Sequence, residues 1–215
     1  DQSAAEALLA LPSVHMVTIT VTESGYYTDP AGDLKADDPA IASEIDSGGD
    51  GAERSTVYAY LAAGLKARQA QGGAPITICC CDNIRHNGVM LKNNFLRYLA
   101  LSDESSLVTW VAANVSFPCS MVDRITPRAT QDLADNLSVQ TGIAVKHPIL
   151  AEAFTQWVLE DNFAGPMPAL DQAGVTITED VNPFEETKIR VLNGGHTCLT
   201  YLAALQGIET FDQAM

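Results

Sequence analysis

Two apolar runs stand out along the chain, each followed by a stretch with helical spacing. "VHMVTITVT" (14–22) is β-branched and apolar, and predicts a buried strand. "PITICCCDN" (75–83) predicts a second. Between them, residues 25–53 are rich in Asp, Gly and Pro and read as a long surface excursion, its "ADDP" stretch as solvated loop. "RSTVYAYLAAGLKARQAQ" (54–71) then shows helical periodicity and stops at Gly72-Gly73. An amphipathic helix is expected over 86–102 and a short helix over 105–115, and "VSFPCSMVDRITP" (115–127) reads as one strand running into a turn. Residues 130–143 read as helical and polar. Residues 147–163 read as a strand start before a helix, and "GVTITED" (174–180) as a short β piece. From Asn182 to Gln206 one long helix is predicted, capped by Asn182, with Pro183 in its first turn and Glu185 and Glu186 at the positive end of its dipole.

Alternating strands and helices predict an α/β fold with parallel pairing and right-handed crossovers. In such sheets ligands sit beyond the carboxyl ends of the strands. Two predicted strands end there in polar clusters, Cys81-Asp82-Asn83 and Met121-Val122-Asp123-Arg124.

Charge narrows the partners. With 12 Lys and Arg against 27 Asp and Glu, the formal charge is −15. That argues against a nucleic-acid backbone or an anionic membrane surface. No apolar run approaches the ~18 residues a membrane helix needs. The first residues, "DQSAAEALLALP", lack the basic start and long apolar stretch of a signal peptide, so a cytoplasmic setting is expected. The five cysteines, three of them consecutive, form no disulfide framework. Neighbours on a strand face opposite ways, so Cys79, Cys80 and Cys81 cannot converge on one metal, and they read as small buried hydrophobes. No G-x-G-x-x-G follows a predicted strand; Gly48-Gly49-Asp50-Gly51 has the wrong spacing. Pattern alone therefore gives an α/β unit and a helical segment, but no reaction.

Five motifs go further: "TVTESGYY", "CDNIRHNG", "FPCSMVDRITP", "FTQWVLEDNF" and "KIRVLNGGHTCLTYLA". In this order they closely resemble the polyol-specific long-chain dehydrogenases, the mannitol dehydrogenase family. That family includes mannitol 2-dehydrogenase, D-arabinitol 4-dehydrogenase and the hexuronate reductases. The resemblance runs from about residue 14 to the last, and "KIRVLN" and "FTQWVLEDNF" look more like the D-arabinitol branch. Family members are about twice as long. The resemblance thus implies an internal piece: residues 1–181 as a partial Rossmann-like cofactor domain without its first strand and glycine-rich loop, and 182–215 as the start of a helical substrate domain.

The resemblance also implies roles. Lys188 matches the family's catalytic base, and Asn193 a residue that helps hold the reacting oxygen. His196 matches a residue that binds a neighbouring hydroxyl, and Asn83 the asparagine on the opposite wall. Val122 and Asp123 are expected where nicotinamide meets substrate. The cofactor implied is NAD, with NADP open; no metal is implied; the partner is a polyol or ketose, and a monomer or weak oligomer is expected. Oxidising a secondary alcohol needs a base, and lysine serves only when its pKa falls from ~10.4 toward neutrality. On a regular helix, at ~100° per residue, Asn193 lies ~140° round from Lys188, His196 ~80° and Glu185 ~60°, all within one broad face. Glu185 is accordingly a candidate proton relay, and Gly194-Gly195 would let a ligand approach the helix closely. The readings left open are an NAD-dependent dehydrogenase of D-arabinitol or mannitol, a hexuronate reductase, and a non-catalytic α/β module.

Overall fold

The structure, a computed structural model, describes residues 2–48 and 54–214, so Gly49, Asp50 and Gly51 of the glycine cluster lie outside the described residues. After helix α1 (Gln2–Ala10), strands β1 (Met16–Ile19), β2 (Ile76–Cys80) and β3 (Val115–Ser116) pair in the order β1-β2-β3, all parallel. Helix α3 (Val57–Ala70) lies between β1 and β2 in the chain, and α4 (Asn87–Leu101) and α5 (Ser105–Asn114) between β2 and β3. This is the expected Rossmann-like arrangement. β2 is buried along its whole length, as a central parallel strand covered on both faces must be. Ile76, Ile78 and Cys80 face the main core, among Tyr26, Tyr58, Leu65, Leu91 and Phe95. Cys79 faces the other way, into a smaller cluster with Leu159 and Val175.

The excursion over 25–53 is not all loop. It contains helix α2 (Pro39–Asp46), which starts where Asp38 Oδ1 accepts the Ala40 N–H at 3.0 Å and Pro39 opens the first turn. The "ADDP" stretch is therefore a helix start, a correction to the solvated loop read from its polarity. Only Ile41 and Glu44 of α2 are buried. Glu44 accepts from Ser55 N (2.7 Å), Thr56 N (2.9 Å) and Thr56 Oγ1 (2.6 Å), a carboxylate held at the positive end of α3.

The single strand expected over 115–127 is two. Pro118 has no N–H to continue a ladder, and the chain changes sheet across it. β4 (Ser120–Asp123) pairs antiparallel with β5 (Gln156–Glu160), which pairs parallel with β6 (Thr176–Thr178). At this crossing α4 comes so near that a Cβ on Gly88 would lie 2.5 Å from the Phe117 and Pro118 carbonyl oxygens. β5 corrects the helix expected within 147–163. Val158 and Leu159 are both fully buried, on opposite faces, which suits a covered strand and not one stripe of a helix. Helix α6 (Gln131–Thr141) joins β4 to this region.

The last helix is continuous as expected but irregular. It runs as α7 (Asn182–Thr187), a π-helical stretch over Lys188–Asn193, and α8 (Gly194–Leu205). Asn182 is not its cap: Val181 holds that position, and Asp180 Oδ1 accepts the Asn182 N–H at 2.9 Å. Among the described residues no helix is long and apolar enough to cross a membrane.

Candidate active site

The carboxyl ends of β1 and β2 open onto a cleft of about 670 Å³, within the range of small-molecule sites. Its walls include Thr20 and Thr22 after β1, Asn83 after β2, Val122 and Asp123 on β4, and Lys188. Thus both polar strand ends flagged by the sequence meet at one place, although β4 belongs to the second sheet.

Lys188 reaches this cleft because the last helix turns its first residues over the β2 end. Its Nζ donates to Asn83 Oδ1 at 2.7 Å, across 105 residues of sequence. Glu185, one turn earlier, is buried and shares with Lys188 and Asn83 a narrow recess beneath the cleft. Its Oε1 accepts the His86 N–H at 2.9 Å, and its Oε2 lies 3.7 Å from His86 Nδ1. His86 itself sits in the left-handed region (φ 50°) at the start of α4. Its neighbour Asn87, fully buried, donates to Asp82 O (3.0 Å) and Ser120 O (2.9 Å) and accepts from Ser120 N (2.9 Å). That one carboxamide ties the β2 end to β4 and so sets the distance between the cleft's two walls.

Asn193 and His196 do not line the cleft. The π-helical stretch between Lys188 and Asn193 changes their angles about the helix axis. Residues Lys188–Asn193 follow the wider i→i+5 coil, which turns by less than ~100° per residue, so Asn193 comes nearer to the Lys188 side than the ~140° of a regular helix. Both residues are half-buried on the same continuing helix. A Cβ on Gly195 would meet nothing within 4 Å, so the backbone there is open to approach.

The turn after β1 carries features that sequence reasoning missed. Thr22 has φ 62° and ψ 166°, a region that is costly for a β-branched residue. Asp82 holds it there: Oδ2 accepts from Val21 N (2.9 Å) and Tyr26 Oη (2.6 Å), and Oδ1 from Thr22 N (3.1 Å). Burial, with the hydrogen bond to Asp82, keeps the Tyr26 phenol far above its ordinary pKa, so it remains a donor. Burial likewise pushes the Cys80 thiol beneath it up to about 11. The signal was available in outline, since "TVTESGYY" follows the first strand as "CDN" follows the second.

Thr and Val side chains give the cleft a partly apolar wall, and the carboxylates of Asp82 and Asp123 line it as hydrogen-bond acceptors. Among the described residues no group of three or more His, Cys, Asp or Glu side chains is arranged to hold a metal ion.

Residues 2–172 match the family model described as the mannitol dehydrogenase Rossmann domain, and residues 180–215 match the mannitol dehydrogenase C-terminal domain. D-arabinitol 4-dehydrogenase of Ralstonia nicotianae is 41% identical over 204 residues, covering 95% of this chain and 43% of that protein. Mannitol 2-dehydrogenase of Cereibacter sphaeroides is 39% identical over 215 residues, covering 100% of this chain and 44% of that one. Among solved structures, the ternary complex of Pseudomonas fluorescens mannitol 2-dehydrogenase with NAD and D-mannitol superposes with a TM-score of 0.85. It is 39% identical, and the match covers 96% of this chain and 42% of that one. D-sorbitol dehydrogenase in substrate-free form gives a TM-score of 0.89 at 37% identity, over 100% of this chain and 44% of that one. The chain therefore spans less than half the length of these relatives. Two family models that together cover nearly every residue, with relatives near 40% identity along the same span, identify the chain as belonging to the mannitol dehydrogenase family.

Proposed function

We propose that the whole protein is an NAD-dependent dehydrogenase that oxidises a secondary hydroxyl of a sugar alcohol, D-arabinitol or mannitol, to the ketose. The observation that carries this reading is the Lys188 amine held 2.7 Å from the Asn83 carboxamide at the mouth of the cleft. A neutral lysine amine has two N–H bonds and one lone pair. When one N–H is committed to Asn83 Oδ1, the lone pair is free to take the proton of a substrate hydroxyl. The Asn83 amide group is then left to donate to the oxygen that becomes negative, which is the arrangement that stabilises an alkoxide. Asn193 serves as the second donor and His196 binds an adjacent hydroxyl; both readings come from the family pattern. Val122 and Asp123, with Asn83, hold the nicotinamide end of the cofactor. When bound, that cofactor supplies the hydride acceptor. Glu185, in the recess below Lys188, passes the proton toward His86, which is 60% exposed.

Assay of the full-length protein against a panel of pentitols, hexitols and hexuronates, with NAD and with NADP, tests the reading. Polyol oxidation with NAD is expected. Turnover confined to a hexuronate would replace it with a uronate reductase, in keeping with the 39% identity to D-mannonate oxidoreductase of Escherichia coli, and no turnover at all would leave a non-catalytic module. Glu185→Gln is expected to change the pH–rate profile; an unchanged profile removes the relay.

A further inference from the structure

We propose that Cys81 is a modification site, a thiol that α,β-unsaturated carbonyl compounds reach through the cleft and whose alkylation shuts out the nicotinamide cofactor. Cys81 follows β2 directly and stands in the cleft wall two residues before Asn83. It is half-buried, whereas Cys79 and Cys80 are fully buried. Its Sγ lies 3.7 Å from Cys79 Sγ, because residues two apart on a strand share a face. The two sulfurs lie within the range of one S–H···S bond, and the inner one is cut off from water. The hydrogen bond with Cys79 lowers the Cys81 thiol below its ordinary pKa, while the same bond and burial raise Cys79. Thiolate character and access are what make a cysteine reactive, and here both fall on the sulfur that faces the cleft. The pair does not close readily on itself. Two residues along a strand span ~6.6 Å between Cα atoms, the outer limit for a disulfide.

In the reaction the Cys81 thiolate attacks the β-carbon of the acceptor. A C–S bond forms, the C=C π pair moves to the α-carbon, and that carbon takes a proton from water. No oxidant or reductant is involved. The added group projects from the wall that also carries Asn83, Asp82 and Thr20.

The consequence for the cofactor rests on the dehydrogenase reading, whereas the reactivity of Cys81 does not. The full-length protein is treated with N-ethylmaleimide, adducts are located by mass spectrometry, and NADH binding is followed by fluorescence. The Cys81 adduct is expected to form at least about tenfold faster than adducts at Cys79 or Cys80, and loss of NADH binding should track it. Saturating NADH should slow it, and Cys79→Ala should slow it as well by removing the S–H···S bond. Cys81→Ser should abolish the effect of maleimide on whatever NADH affinity that variant has, while Cys198→Ala should not. Labelling of exposed Cys198 with Cys81 left unmodified overturns the proposal, as does a Cys81 adduct that leaves NADH binding unchanged. If untreated protein binds no NADH, the dehydrogenase reading falls, and the adduct rates in wild type and Cys79→Ala still decide whether Cys81 is the reactive thiol.

Discussion

Replacing Asp82 with asparagine should loosen the turn that forms one lip of the cleft. The carboxylate accepts three hydrogen bonds, from Val21 N, Thr22 N and Tyr26 Oη. An asparagine oxygen placed like Oδ2 keeps the Val21 and Tyr26 bonds without their charge assistance. Its NH2 then faces the Thr22 N–H, donor against donor. One lost charge-assisted bond is worth ~1.5–3 kcal/mol, and the weakening of the others adds to it. Asp82 is half-buried, so solvent offsets part of the loss, and a destabilisation of ~2 kcal/mol is expected. For a domain of this size that lowers Tm by roughly 4–8 °C. Hydrogen exchange supplies the local readout. The Val21 and Thr22 amides should exchange faster in Asp82→Asn, while amides of the buried strand β2 change only as far as global stability does. An unaltered Tm together with unaltered exchange at Val21 and Thr22 would refute the idea that Asp82 holds this turn.

Two further outcomes follow from the same region. Thr22→Gly should raise Tm, because relief of the strained backbone is worth ~1–3 kcal/mol against a glycine entropy cost of ~0.5–1 kcal/mol; a lower Tm would mean the threonine side chain contributes more than its backbone costs. Burial raises the pKa of the Tyr26, Tyr58 and Tyr98 phenols in the folded protein, so the folded state keeps protons that the unfolded chain releases. Their contribution is whole below pH ~10 and is lost as pH climbs toward the folded values, so urea midpoints should fall above pH ~10, less steeply in Tyr26→Phe.

The parallel sheet was legible because β1 and β2 are runs of β-branched and apolar residues flanked by turn residues. Other elements depend on contacts that no local pattern carries. Helix α2 buries only Ile41 and Glu44, so its eight residues read as polar loop even though Asp38-Pro39 is a good helix start. β5 looked helical because the run that precedes it is apolar; yet Ile149 is 83% exposed, and the run that matters is Val158-Leu159, covered from both sides by packing. The division at Pro118 sends β3 and β4 to different sheets, a choice that partner strands make. At the site, Lys188 and Asn83 were marked by their motifs, but only folding brings them together. The π-helical stretch has no counterpart in residue pattern, and its smaller turn per residue brings Asn193 round toward the Lys188 side.

The central claim is that the Lys188 amine, positioned by Asn83, takes the substrate proton. Its most direct test is steady-state kinetics of full-length Lys188→Ala beside the NADH dissociation constant of the same protein. General-base catalysis contributes ~10²–10⁴ in rate, so kcat for polyol oxidation should fall by about that factor while the dissociation constant for NADH stays within about twofold. A variant that keeps wild-type kcat and loses only affinity for the polyol would contradict the account.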